Sequence, residues 1–166
     1  MTAGGSSIPE VQRLLKVLVA SKAGGKIAEI GTAFGEGATA ILSGLAPDTT
    51  FVTVEPDPAR YAHARDALAG TRAELINDRW QQVLPQRAPF DLLFFDGGSA
   101  TEIAESIGEV VGLLSPGGIL VKDDLTPGIA VDQDPIRAAL LREPRLAAVE
   151  LQVTEEMAVI VASRRT

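Results

Sequence analysis

The stretch Lys26-Ile27-Ala28-Glu29-Ile30-Gly31-Thr32-Ala33-Phe34-Gly35-Glu36-Gly37, continued by Ala38 to Leu45, decides the fold. Its first five residues predict a short strand, its glycines a tight loop, and the segment from Ala38 a helix. Strand, glycine loop and helix in succession form the opening unit of an α/β sheet.

The same alternation extends downstream. Phe51-Val52-Thr53-Val54 predicts a second strand, and Asp57-Pro58 supplies the N-cap and first residue of a helix ending near Gly70. Leu75-Ile76 is a third, weaker strand. Leu92 to Phe95 and Ile119 to Val121 are continuous apolar runs suited to strands buried on both faces, the second following a turn at Ser115-Pro116-Gly117-Gly118. Between them Ile103, Ile107, Val110 and Leu114 mark a helix begun by a capping box at Ser99 and Glu102. Asp134-Pro135 opens a last helix, and Leu146 to Val153 with Met157 to Ala162 predicts an antiparallel pair about the turn Thr154-Glu155-Glu156. Upstream, Ser7-Ile8-Pro9-Glu10 has capping-box spacing, and Val11, Leu14, Leu15 and Leu18 predict a helix reaching about Ala20. The expected fold is α/β: a mostly parallel seven-stranded sheet, helices on both faces, and a C-terminal antiparallel hairpin at one edge. One domain is expected over residues 1–166, with an N-terminal helix in 1–24 and a core in 25–166.

Composition narrows the function. A net charge of -7 and an isoelectric point near 4.7 speak against binding nucleic acid through many phosphates, which needs clustered Lys and Arg. The absence of cysteine excludes disulfides and thiolate chemistry. Met1 to Ser7 lacks the pattern of a signal peptide, and Val110 to Val121 is too short and too interrupted to span a membrane. The expectation is a cytoplasmic protein without membrane or nucleic-acid partners, acting on a small molecule.

Ligands of open parallel sheets bind beyond the carboxyl ends of the strands, and acids gather there in this chain. Glu29 lies near the end of the first strand, Glu55 follows the second, Asp96 the fourth, and Asp123-Asp124 the fifth. Gly31-x-x-x-Gly35-x-Gly37 is not the dinucleotide fingerprint G-x-G-x-x-G, because Ala33 and Glu36 occupy its third and sixth positions. A carboxylate such as Glu55 can accept both hydroxyls of a ribose, which points to a nucleoside cofactor.

The spacing E-x-G-x-x-x-G-x-G resembles the first motif of class I S-adenosylmethionine-dependent methyltransferases, which implies their Rossmann-like fold. From Gly25 onward the chain is most similar to the catechol O-methyltransferase-like family. Phe90 to Gly98 looks like that family's fourth-strand motif and Leu114 to Asp124 like its fifth. The resemblance implies an S-adenosylmethionine site built from Glu29, Gly31, Thr32, Ala33, Phe34, Gly35, Gly37, Glu55, Pro56, Asp96 and the adenine-flanking segment Asp78-Arg79-Trp80. It also implies a divalent cation, Mg²⁺ by its all-oxygen ligands, on Asp96, Asp123 and Asp124. The implied activity is O-methylation of a small hydroxylated acceptor, aromatic ones included.

Two departures stand out. Ser99 occupies the position where cation-dependent members carry a lysine base, so the catalytic base is unassigned. Lys122 is not adopted in its place, because regular strand alternation points it away from Asp123, and His63 reads as a solvated helix residue. One short helix precedes the first strand, where the family carries several that shape the acceptor site. This suggests an open site or one completed by a second subunit in a homodimer. The alternatives are an NAD(P)-dependent oxidoreductase and a non-catalytic cofactor-binding or scaffold protein of the same fold.

Overall fold

Leu92, Leu93, Phe94 and Phe95 are all buried because their strand lies at the middle of a sheet covered on both faces. The computed structural model describes residues 7–166. Seven strands run in the order β3-β2-β1-β4-β5-β7-β6. They are β1 (Lys26–Ile30), β2 (Thr50–Val54), β3 (Glu74–Ile76), β4 (Phe90–Phe95), β5 (Leu114–Leu125), β6 (Leu146–Gln152) and β7 (Ala158–Arg164). The pairs from β3 to β5 are parallel, whereas β7 is antiparallel to both β5 and β6. The expected α/β sheet with a C-terminal antiparallel hairpin is therefore the observed one.

The helices are α1 (Pro9–Ala20), α2 (Glu36–Gly44), α3 (Pro58–Ala67), α4 (Trp80–Val83), α5 (Ala100–Gly112) and α6 (Pro135–Leu141). Strand alternation sorts the core into two layers. Leu93 and Phe95 pack with Ile107 and Val110 of α5 and Leu140 of α6, while Leu92 and Phe94 pack with Leu15 of α1 and Ile41 of α2. The chain builds outward from β1 to β3, then returns to place β4 on the other side of β1. This reversal opens a crevice at the carboxyl ends of β1 and β4.

Three local expectations are corrected. Ile8 rather than Ser7 is the N-cap of α1 and makes no side-chain cap, because Pro9 fixes the first helical residue one position later than a Ser7 cap requires. Leu114 is not helical: α5 stops at Gly112 and Leu114 pairs with Phe90. Ser115 to Gly118 does not precede β5 but bulges within it, since the next β4 pairing joins Leu92 to Ile119. The other caps are as expected. Asp57 accepts from Ala59 and Arg60 N–H, Asp134 from Ile136 and Arg137 N–H, and Ser99 with Glu102 forms a complete capping box.

Candidate functional site

The loop after β1 is suspended from the end of β2. The amides of Gly31 and Thr32 both donate to the Val54 carbonyl, at 3.0 and 3.3 Å. Gly31 takes φ +90°, and a Cβ there would lie 2.5 Å from the Asp96 carbonyl oxygen, so only glycine lets the loop cross the end of β4. Ala33 and Gly35 also have positive φ, +48° and +94°. Glu55 fixes this shape. Buried at the end of β2, it accepts the Ala33 amide on Oε2 and the Asp57 amide on Oε1, each at 2.9 Å. Each oxygen keeps a further lone pair for a ligand hydroxyl.

Beneath the loop, Glu29 is 1% exposed. Its Oε2 accepts the Thr53 hydroxyl at 2.5 Å, and Thr53 and Thr32 share a second 2.5 Å hydroxyl contact. Burial pushes the Glu29 carboxyl up to about 8, the Thr53 bond opposing and the nearby Asp123 and Glu55 carboxylates reinforcing the shift.

Beside the loop lies a cleft of about 220 Å³. Ile30, Val54, Pro56, Trp80, Phe95 and Ile103 give it an apolar lining, and Arg79 and Glu102 add charged groups. Trp80 is 9% exposed and meets Phe95 edge to face, with ring centroids 6.4 Å apart. Such a slot suits a flat heterocycle.

At the ends of β4 and β5, Asp96, Asp123 and Asp124 can place one carboxylate oxygen each within 4.8 Å of one another. Asp123 is 1% exposed, and neither of its carboxylate oxygens has a hydrogen-bond partner among the described residues. Buried carboxylate oxygens without donors suit a cation, and three converging acids with one open side suit a hard divalent ion. Burial raises both Asp96 and Asp123; mutual repulsion adds to the rise of Asp96, and the Lys122 ammonium opposes both shifts. Asp124 can join the group because it adopts φ +58°, where the regular β5–β7 register is lost between Lys122 and Leu125.

That irregularity also corrects the expectation for Lys122. Alternation separates it from Asp123, yet its Nζ lies 3.5 Å from Asp123 Oδ1, and both side chains are buried. The structure thus brings together Glu29, Gly31, Thr32, Ala33 and Glu55 around the loop, Pro56, Arg79 and Trp80 in the cleft, and the three aspartates at the ends of β4 and β5. Asp78 is exposed, outside the cleft lining, with its Oδ1 accepting the Arg79 amide. Phe34 is 42% exposed and packs edge-on against His63, beside a separate depression that Gly35 also lines. Sequence reasoning missed Ile103 and Phe95 as lining residues of the cleft, because a core strand and an amphipathic helix give no sign of which core residue borders a cleft.

Residues 28–125, more than half of the chain, match a family described as a methyltransferase domain. The chain belongs to this methyltransferase family. It is similar to a putative O-methyltransferase of Mycobacterium avium, 34% identical over 124 residues covering 70% of this chain and 55% of the relative. The chain thus spans just over half the length of such curated relatives. Among solved structures, an O-methyltransferase from Bacillus cereus in complex with SAH superposes with a TM-score of 0.79 at 22% identity, covering 96% of this chain and 83% of that one. An O-methyltransferase from Streptomyces achromogenes, in complex with SAM, gives 0.75 at 22% identity over 98% and 82%. The methyltransferase domain thus shares the class I α/β fold read from its strands.

Proposed function

We propose that this methyltransferase domain binds S-adenosylmethionine across the crevice of β1 and β4 and methylates a hydroxyl of a small acceptor, with a divalent cation on Asp96, Asp123 and Asp124. The observation that carries the reading is the left-handed loop Gly31 to Gly35, locked by Glu55, beside three converging aspartates. In this reading Glu55 accepts the ribose hydroxyls on its remaining lone pairs, and Trp80 with Ile103 encloses the adenine. Gly31 and Gly35 let the backbone approach the methionine portion.

Methyl transfer to oxygen is a displacement at carbon: the acceptor oxygen, in line behind the methyl, forms the C–O bond as the C–S bond breaks, S-adenosylhomocysteine leaves with the electron pair, and the acceptor proton passes to solvent. Alignment of bound reactants supplies roughly 7–11 kcal/mol in ideal cases. A divalent cation supplies a lowered hydroxyl pKa and a fixed orientation when bound. Buried Asp123, half-buried Asp96 and exposed Asp124 would hold it. No side-chain base is required, which accords with Ser99 being engaged in its capping box.

The names of the curated relatives support transfer to oxygen. The nicotinamide alternative gains nothing from the loop, whose glycines lack the dinucleotide spacing. Calorimetric titration with S-adenosylhomocysteine tests the cofactor site: the wild-type chain binds, and Glu55→Ala weakens binding about 100-fold or more, the equivalent of two charge-assisted hydrogen bonds. Equal affinity in the variant would sink the assignment. Methylation of a catechol-type acceptor that is lost with a chelator and restored by Mg²⁺ tests the metal.

A further inference from the structure

Lys122 is a buried charged residue beside the three aspartates that the proposed reaction leaves without a task. Its side chain is 5% exposed and that of Asp123 1%, and the ammonium lies 3.5 Å from Asp123 Oδ1. A buried ammonium is costly unless an anion faces it, and Asp123 is that anion. The contact is ionic rather than a well-formed hydrogen bond, since both Asp123 oxygens remain without a hydrogen-bond donor. The lone pairs that a divalent ion would take are therefore open, while the charge it would neutralise is already partly balanced. The same ammonium also acts on Asp96 through space. The chain thus builds a fixed positive charge against its three converging carboxylates.

We propose that Lys122 is a built-in counter-cation of the Asp96, Asp123 and Asp124 group, competing with the divalent ion for Asp123 and setting a weak, readily reversed ion affinity. The inference rests on the metal part of the proposed function. Without an ion, Lys122 keeps three adjacent carboxylates from repelling one another apart. With an ion, it repels the incoming charge at a few ångströms through a poorly screened medium, and affinity at such sites follows net ligand charge. Lys122 is a positioning residue: it touches Asp123, not the acceptor.

Mn²⁺ titrated into the full chain without cofactor, with free ion followed by electron paramagnetic resonance, tests this. Lys122→Met removes the charge at similar volume, Lys122→Gln removes it with a polar end, and Lys122→Arg keeps it. The expected result is Mn²⁺ binding about tenfold or more tighter in Lys122→Met and Lys122→Gln, with Lys122→Arg close to wild type. Unchanged or weaker binding in the two neutral variants overturns the proposal. Absence of Mn²⁺ binding in every form overturns it together with the metal site. Circular dichroism checks the fold of each variant, and the two neutral forms keep the test open if one fails to fold. Because the titration uses no cofactor, it decides the role of Lys122 even if S-adenosylhomocysteine does not bind, a failure that would overturn only the methyltransferase activity.

Discussion

A left-handed backbone is inexpensive only for glycine, and Gly31 joins that demand to a steric one. At φ +90°, an added Cβ would sit 2.5 Å from the Asp96 carbonyl oxygen, a backbone atom that cannot swing aside. Gly31→Ala is expected to cost roughly 1–2 kcal/mol from φ alone. It also pushes the loop off the end of β4, so affinity for S-adenosylhomocysteine falls about tenfold or more. Gly70→Ala is the control: φ is +75°, but nothing lies within 4 Å, so it strains the chain and leaves ligand affinity alone. Urea unfolding and calorimetry on both variants separate strain from clash, and wild-type affinity in Gly31→Ala would refute the loop's role. At this scale the sequence was informative wherever function follows from position along a strand. Glu55 and Asp96 were found because each directly follows an apolar run, and Asp123 and Asp124 because they close the segment that begins with Ile119 to Val121. Lys122 was not, because its contact with Asp123 depends on the register lost between Lys122 and Leu125.

Elements meet at the site through contacts that no local pattern encodes, and Arg137 of α6 is the clearest. It is fully buried, its Nε and Nη2 donate to the two oxygens of Glu150 on β6 at 2.8 Å each, and Nη2 also donates to the Thr126 carbonyl at 2.6 Å. Nη1 pairs with Asp134, the residue that caps α6. One guanidinium thereby ties the exit of β5, just past Asp124, to the start of α6 and to the edge strand. Arg137→Met should leave Glu150 and Asp134 without their partner and destabilise the fold by roughly 3–5 kcal/mol, read from urea denaturation. Paired with Glu150→Gln, the loss should be less than the sum of the single losses; strict additivity would mean the two side chains are not coupled. Asp134-Pro135 announced α6 in the sequence because capping is local. The Arg137–Glu150 pair, 13 residues apart on different elements, had no such signature. The bulge at Ser115 to Gly118 was read as a turn for the same reason, since pairing with β4 on both sides of it is a tertiary fact.

The whole molecule carries a net charge of -7, and its parallel strands direct acids toward one rim of the sheet, so the stability of the ligand-free fold should depend on pH in an unusual direction. Most carboxylates that matter in folded proteins are lowered, as Asp57 is by the backbone amides of Arg60 and Ala59, and they add stability as pH rises through the acid range. Glu29 is the reverse: burial lifts it from 4.5 to about 8, and Asp96 is raised by burial and by Asp123. Between the unfolded and folded values the native state holds protons that the unfolded chain has released, so the slope of stability with pH is negative there. The lowered acids have finished titrating below about pH 5, which leaves the raised ones to set the trend above it. The melting temperature of the ligand-free protein should therefore fall from about pH 5 to about pH 8.5. Glu29→Gln, neutral at every pH and still able to accept from Thr53, should flatten the curve. Mg²⁺ should raise it most at the alkaline end, where the aspartates are ionised and available. A wild-type curve that is flat or rising across this range would mean that the rim acids are solvated or already compensated. An unchanged slope in Glu29→Gln would assign the effect to the aspartates alone.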